Sequence, residues 1–138
     1  MIADICFTDE RRFTSQQLEQ LFLSFDWESG KFPEKLKRAL ENCETVFTAW
    51  VGERLVGLAN AIDDGELTAY VHYLLVDPQY QGFGIGSSLI KMMKKKYKNY
   101  LHFFLLAEHK ELVSYYERLG FEHCSDISVM VYKEHGDE

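Results

Sequence analysis

The sequence contains few prolines and cysteines and no long apolar run. Its 138 residues include two prolines and three cysteines. The cysteines, Cys6, Cys43 and Cys124, are an odd number without the spacing of a zinc site or a disulfide framework, so we expect neither a metal nor a disulfide. No stretch reaches the roughly 20 apolar residues that span a bilayer. The segment MIADICFTDE (1–10) lacks the basic region of a secretion signal, so we expect a soluble, cytoplasmic protein without membrane contact.

Positive charge is also scarce. Fifteen Lys and Arg stand against 22 Asp and Glu, which gives a formal net charge of −7. A nucleic-acid-binding surface needs a basic footprint, so nucleic acid is not the expected partner. An acidic protein suits a cationic small substrate. Hydrophobic residues make up 46% of the chain, enough for one core, and we expect a single domain over residues 1–138.

Hydrophobic periodicity predicts a mixed α/β domain. Strands are predicted at 2–7, 45–51, 55–62, 68–76, 101–107 and 127–132, and helices at 13–25, from Pro33 to Cys43, at 85–97 and at 111–119. The strand–helix–strand unit at 68–107 requires a parallel pair with a right-handed crossover, whereas the strands before it suit an antiparallel meander. Because 101–107 is almost wholly apolar, we expect that strand in the middle of the sheet.

Three glycines, Gly82, Gly84 and Gly86, stand where the strand at 68–76 gives way to the helix at 85–97. Glycine lets the backbone approach a ligand closely. The first turn of a helix offers unpaired amides at the positive end of its dipole. We therefore predict that residues 81–87, here called the glycine loop, bind phosphate.

The sequence of the glycine loop does not match two well-known phosphate-binding motifs. A Walker loop needs Gly-Lys-Ser/Thr, which is absent from the sequence. A dinucleotide fingerprint needs G-x-G-x-x-G, but here the spacing is G-x-G-x-G with Ser87 in the last place, and no acidic residue follows about twenty residues on. A plain glycine-rich turn is the structural alternative.

The segment QGFGIG (81–86) resembles the Gln/Arg-x-x-Gly-x-Gly/Ala motif of the GNAT superfamily of acetyl-CoA-dependent N-acetyltransferases. It follows an apolar strand ending in LLVDP, which resembles the family's usual lead-in. The segment SYYERLGFE (114–122) resembles the family's Phe/Tyr-Tyr-x-x-x-Gly-Phe motif on a later helix. The resemblance covers residues 45–133. It implies a central, mostly antiparallel sheet with one splayed parallel pair, flanked by about four helices.

The resemblance also implies that acetyl-CoA is the co-substrate. Its pyrophosphate would lie on the loop amides, and its pantetheine arm would lie beside the end of the preceding strand, where one amide would act as an oxyanion donor. The implied cofactor-binding residues are Leu74, Leu75, Val76, Gln81, Gly82, Phe83, Gly84, Ile85, Gly86, Ser87 and His109. His109 departs from the family's pattern, because an asparagine is common at this position.

Tyr116 matches the family's proton donor. A phenol has an ordinary pKa of about 10, so it is protonated at neutral pH and can give a proton to the departing sulfur. A purely structural aromatic is the alternative reading of Tyr116. A shift of the register by one residue would exchange its role with that of Tyr115.

His72 is the candidate catalytic base, because an imidazole titrates near neutral pH. By strand alternation it should share a face with Leu74 and Val76. In the arylalkylamine branch of the family, histidines occupy this strand, and the second such position is Tyr70 here. Many relatives instead carry a glutamate where this chain has Phe104, and others relay the proton through water. A histidine packed into the sheet is the structural alternative.

The predicted substrate residues are Asp26, Trp27 and Tyr70. A carboxylate beside an aromatic ring suits an ammonium or an aryl amine, although a solvated charged loop is the alternative.

We predict an enzyme that moves acetyl from acetyl-CoA to a primary amine of a small molecule, by direct attack in a ternary complex. Within the family it resembles the arylalkylamine-type members. The alternatives are a protein N-terminal or lysine acetyltransferase and a catalytically silent acetyl-CoA-binding regulatory module. The family resemblance also allows a homodimer.

Overall fold

The computed structural model describes residues 4–25, 27–107 and 110–133. The strands are β1 (Cys6–Thr8), β2 (Thr45–Val51), β3 (Arg54–Asp63), β4 (Thr68–Val76) and β5 (His102–Leu105). The helices are α1 (Ser15–Leu23), α2 (Pro33–Asn42), α3 (Ile85–Lys96) and α4 (Lys110–Arg118), with short 3-10 helices at Glu28–Lys31 and Pro78–Tyr80. The chain divides into two compact units, Met1–Leu106 and Ala107–Glu138, and each is described by itself.

Local sequence signals begin the first two helices. At α1 the backbone amide of Gln17 donates to the Thr14 hydroxyl at 3.1 Å, and the Thr14 amide donates to the Gln17 side chain at 2.9 Å. This reciprocal pair satisfies two amides that the helix itself leaves unpaired. Pro33 occupies the first position of α2, where its missing N–H has no helical partner to lose.

The sheet of the first unit has the order β1-β2-β3-β4-β5. The first three pairings are antiparallel, and β4 pairs with β5 in parallel. The predicted mixed sheet with one parallel pair is therefore confirmed. The parallel register ends at Val71↔Leu105. Among the described residues, positions 73–76 of β4 pair with β3 alone, so the parallel pairing with β5 stops before β4 ends.

Two apolar clusters cover the two faces of this sheet. One contains the buried faces of α1 and α2, and the other contains α3. The α3 side of the sheet is built from small residues, so the helix lies close to it. A Cβ on Gly57 of β3 would lie 2.8 Å from Ile85 Cγ2. Glycine at position 57 therefore lets the first turn of α3, and with it the glycine loop, rest directly on β3.

The far end of α3 is held by Tyr97. Its buried hydroxyl lies 2.6 Å from Thr45 Oγ1 and 2.5 Å from Asp63 Oδ2. Burial, together with the bond to Asp63, raises the pKa of Tyr97 above its ordinary value. The phenol therefore stays protonated and donates to the carboxylate, which fixes α3 to β2 and β3 at the end opposite the glycine loop.

Two strand predictions are wrong. Residues 101–107 form only the strand His102–Leu105, which lies at the edge of the five described strands rather than in the middle. Its residues alternate between exposed and half-buried, as expected for an edge. The predicted strand at 127–132 is absent, and Met130 is 91% exposed. The described part of the second unit contains no other strand to pair with it, and an isolated strand is unstable.

Candidate functional site

The strand β4 ends in a short, hydrogen-bonded turn. The amide of Asp77 donates to Val56 O at 2.8 Å, which keeps the chain on β3 for one more residue. One carboxylate oxygen of Asp77 accepts the amide of Gln79 at 2.9 Å. This side-chain bond starts the 3-10 turn at Pro78–Tyr80, and the chain then enters the glycine loop.

The glycine loop has a backbone that depends on glycine. Gly82 and Gly84 have φ angles of 88° and 81°, in the left-handed region that other residues rarely adopt. An added Cβ on either glycine would meet nothing within 4 Å, so both face open space. Gly86 lies inside the first turn of α3.

Gly84 is also the N-cap of α3, and within the described residues no side chain caps this helix. The first helical bond runs from the Ser88 amide to Gly84 O at 3.0 Å. The amides of residues 85–87 come before that bond, so the helix itself does not pair them. Together with the positive end of the helix dipole, they can hold an anion.

The other predicted cofactor residues lie around this loop. Gln81 Nε2 donates to Val76 O at 3.4 Å, and Phe83 is 52% exposed. Leu74 and Val76 are half-buried on the α3 side of the sheet. Leu75 is buried in the cluster on the opposite side, so a ligand at the α3 side could meet only its backbone.

A β-bulge interrupts β4 beside the predicted base. Asn60 lies opposite Tyr73, whereas its neighbour Ala61 lies opposite Val71, so the register between β3 and β4 shifts by one residue at His72. The buried side chain of Asn60 accepts the amide of Tyr73 at 2.9 Å. Asn60 thus satisfies a backbone group at the irregularity.

The bulge overturns the predicted strand alternation. Val71 and Leu74 both belong to the cluster on the α3 side, although they are three residues apart. The ring of His72 instead stacks on Tyr73, which belongs to the α1 and α2 side, with centroids 4.0 Å apart. The prediction that His72 shares a face with Leu74 and Val76 is therefore wrong, because the extra residue shifts the alternation.

Four rings form a continuous series, called here the aromatic row: Trp27, Tyr73, His72 and Tyr70. Trp27 meets Tyr73 edge to face at 5.3 Å, and His72 lies 5.8 Å from Tyr70. The structure thus brings together the predicted base and two predicted substrate residues. His72 is exposed, and Trp27 and Tyr70 are half-buried.

Sequence reasoning missed Tyr73, the ring that joins this row. Its hydroxyl lies 2.6 Å from the hydroxyl of Ser29, and its ring packs against Phe22 of α1 at 4.9 Å. Tyr73 looked like one more apolar strand residue. The polar Asn60 inside the otherwise apolar strand LVGLANAI indicates a buried hydrogen bond, but it does not show which residue of the next strand lies opposite.

Tyr116 lies in the second unit, on α4. It is buried at 8% exposure and packs against Tyr115, at 5.2 Å between ring centroids, and against Phe121, at 6.1 Å. The amide of Phe121 donates to Tyr116 O at 3.1 Å, which folds the chain back at the end of the helix. Gly120 supplies the positive φ of 102° that this C-terminal turn requires.

Two predicted site residues, Asp26 and His109, lie outside the described residues. Across the described ranges, no group of three or more His, Cys, Asp or Glu side chains could hold a metal ion. In those same ranges no helix has the length and apolar character that crossing a membrane would require.

Comparison with known proteins agrees with the motifs. The family described as "Acetyltransferase (GNAT) domain" matches residues 12–132. An N-acetyltransferase named ycf52 from Pyropia yezoensis is 27% identical over 123 residues, which are 86% of this chain and 70% of that protein.

The names of two further relatives state a substrate. "Histone acetyltransferase TAP1" from Glycine max is 37% identical over 71 residues, covering 51% of this chain and 31% of that protein. "Serotonin N-acetyltransferase 2, chloroplastic" from Oryza sativa is 33% identical over 97 residues, covering 64% of this chain and 46% of that protein. The chain thus spans less than half the length of both of these curated relatives.

Solved structures share the fold. A GNAT family acetyltransferase from Streptococcus pneumoniae superposes with a TM-score of 0.82 at 28% identity, covering 96% of this chain and 100% of that one. The aminoglycoside N-acetyltransferase AAC(6')-Iy in complex with CoA gives a TM-score of 0.73 at 13% identity, covering 99% and 98%. The chain belongs to the GNAT family of acetyltransferases.

Proposed function

We propose that this protein transfers acetyl from acetyl-CoA to a primary amine of a small molecule. The observation that carries the proposal is the glycine loop, in which two left-handed glycines lead into a helix that no described side chain caps. Residues 1–138 would act as one acetyltransferase domain, since the family match at 12–132 crosses both compact units. A cytoplasmic location and a homodimer stay predictions from the sequence.

The residues of the glycine loop fit the pyrophosphate of acetyl-CoA. The amides of residues 85–87 come before the first bond of α3, and no Cβ at position 82 or 84 obstructs an approach from outside. The parallel register of β4 with β5 ends at Val71, and an extended pantetheine arm would lie beside the part of β4 that follows. The neighbour AAC(6')-Iy was solved in complex with CoA, which agrees with this fit.

Acetyl-CoA would supply the acetyl group as a thioester. The amine nitrogen forms a bond to the carbonyl carbon, and the bond from that carbon to sulfur breaks. His72 would accept the proton that the ammonium must lose, and Tyr116 would give a proton to the departing sulfur. An amide of β4 would donate to the carbonyl oxygen, where negative charge develops. The ammonium loses two protons as it becomes the amide. His72 would accept the first and release it to solvent, and the second, lost from the nitrogen after it has bonded to carbon, would replace the proton that Tyr116 gives to sulfur.

The aromatic row favours an aryl amine as the acceptor. Trp27, His72 and Tyr70 offer ring surface to a flat apolar group, and the histidine that would take the proton lies within the row. A relative named as a serotonin N-acetyltransferase supports the same class of acceptor. We therefore propose an arylalkylamine as the substrate.

A protein lysine or N-terminus is the second candidate acceptor. It is favoured by the relative named as a histone acetyltransferase, which is 37% identical over 71 residues. A peptide acceptor would have to lie along the same row of rings, because the proposed base belongs to it.

Release of CoA thiol from acetyl-CoA across a panel of amines tests the proposal. The panel contains arylalkylamines, polyamines, amino sugars, amino acids and short peptides with free lysine or a free N-terminus. Turnover of arylalkylamines alone supports the proposal, and turnover of peptides alone overturns it in favour of the second candidate. Acetyl-CoA binding by calorimetry without turnover of any amine in the panel would favour an acceptor outside the panel or a regulatory acetyl-CoA-binding module.

A further inference from the structure

We propose that Arg54 and Asp77 are positioning residues for acetyl-CoA binding, which act by holding the entrance of the glycine loop. The inference rests on the proposed function, because that loop is where the pyrophosphate would lie. Asp77 stands in the LLVDP segment that leads into the glycine loop, and Arg54 lies outside both family-like motifs. Neither is among the predicted site residues. Arg54 is the first residue of β3, and Asp77 directly follows β4.

The two side chains form a partly buried ion pair. Arg54 Nη2 lies 2.7 Å from Asp77 Oδ2, and the carboxylate side chain is only 5% exposed. The other oxygen, Oδ1, accepts the amide of Gln79 at 2.9 Å. One buried carboxylate therefore joins the start of β3 to the turn that feeds the glycine loop.

Arg54 holds this turn at a second point. Its guanidinium carbon lies 5.3 Å from the centre of the Tyr80 ring, within the range of a cation–π contact. The amide of Tyr80 in turn donates to the backbone oxygen of Asp77 at 2.8 Å. Contacts with Arg54 and Asp77 thus hold both ends of the 3-10 turn Pro78–Tyr80, which directly precedes Gln81.

A loop built on glycine needs such support. Gly82 and Gly84 provide the conformation but no side chains to fix it, and residues 81–84 are all exposed. Binding a phosphate with several amides at once requires those amides to be ordered beforehand, because ordering them on binding weakens affinity. The ion pair supplies this order from β3. Gly57, three residues after Arg54, lets the first turn of α3 pack closely against β3, so the same strand also supports the far end of the loop.

The experiment measures CoA affinity by calorimetry, with CoA itself as the probe. The variants are Arg54→Met, Arg54→Lys and Asp77→Asn, and the control is Lys37→Met. Lys37 forms an exposed ion pair with Glu41 on α2 at 2.8 Å, away from the loop. We expect Arg54→Met and Asp77→Asn to weaken CoA binding about tenfold, equivalent to about 1.4 kcal/mol. Arg54→Lys should recover part of the loss, since lysine keeps the charge but not the planar contact with Tyr80.

Melting temperatures measured in parallel separate positioning from folding. Arg54→Met leaves a buried carboxylate unpaired and can unfold the protein, whereas Asp77→Asn keeps an acceptor for the Gln79 amide and removes the charge. Unchanged CoA affinity in folded Asp77→Asn would overturn the inference, even with a lower melting temperature. Failure of the wild type to bind CoA would instead overturn the proposed function.

Discussion

The imidazole of His72 stacks on the phenol ring of the next residue, Tyr73, with centroids 4.0 Å apart and planes 21° apart. Neighbours in a regular strand point to opposite faces, so this stack depends on the bulge in β4. Tyr73 is itself fixed by the Ser29 hydroxyl and by the ring of Phe22. The position of the proposed base is therefore set by the buried core of the first unit.

Replacing His72 with glutamine should lower kcat by about 10²- to 10⁴-fold, the usual contribution of a general base. A base works only in its unprotonated form. The wild-type rate should therefore rise with pH as His72 loses its proton, and the variant should lose that rise. Initial rates of thiol release from pH 5 to 9 measure both effects.

The matched control for this variant is His102→Gln. His102 is another exposed histidine of the sheet, and its ring stacks on Phe104 rather than in the aromatic row. We expect its pH profile to follow that of the wild type. A normal profile in His72→Gln would show that another group, or water, takes the proton.

We expect replacement of Asn60 to destabilise the β-bulge and to lower the free energy of unfolding. In Asn60→Leu the amide of Tyr73 loses its acceptor inside the protein, which costs about 1–3 kcal/mol. Urea unfolding followed by circular dichroism measures the loss. Asn42→Leu, at the exposed end of α2, is the control and should leave the free energy of unfolding almost unchanged. Equal stability of the two variants would mean that the bulge does not depend on this side chain.

Elements whose signals lie within a few residues could be predicted from the sequence. The Thr14 and Gln17 pair starts α1, Pro33 starts α2, and the alternating run at 68–76 is β4 with the same bounds. The glycine pattern predicted a strand-to-helix turn, and Gly82 and Gly84 have the backbone that such a turn needs. In each case neighbouring residues alone determine the local structure.

Features that depend on distant partners could not be predicted. The bulge at His72 requires Asn60 on another strand, so alternation within β4 placed His72 on the wrong face. The Arg54 and Asp77 pair joins residues 23 apart. Residues 127–132 have a strand-like pattern, but a pattern within one segment does not show whether a partner strand lies beside it.

The phenol of Tyr116 is expected to act in turnover but not in cofactor binding. Tyr116→Phe removes only the hydroxyl, so kcat should fall by about 10- to 10⁴-fold while the Kd for CoA stays close to that of the wild type. Tyr115→Phe, on the half-buried neighbour, is the control. Rates of thiol release and calorimetric CoA binding give the two quantities. If Tyr115→Phe lost activity and Tyr116→Phe kept it, the donor would be Tyr115.

The glycine loop offers a matched pair of substitutions that separates backbone strain from ligand contact. Gly84 and Gly52 have φ angles of 81° and 59°, and an added Cβ at either position would meet nothing within 4 Å. Valine at either position should therefore destabilise the fold similarly, by about 1–2 kcal/mol, through the left-handed backbone. Only Gly84 lies where phosphate would approach, since Gly52 is in the turn between β2 and β3.

We expect Gly84→Val to weaken CoA binding by about tenfold or more, and Gly52→Val to leave it unchanged. Calorimetric titration of CoA into each variant, below its melting temperature, measures the difference. Similar CoA affinity in both variants would mean that the phosphate does not lie on this loop. The comparison is decisive because backbone strain would destabilise both variants, whereas a blocked approach of phosphate to the backbone would lower the CoA affinity of Gly84→Val alone.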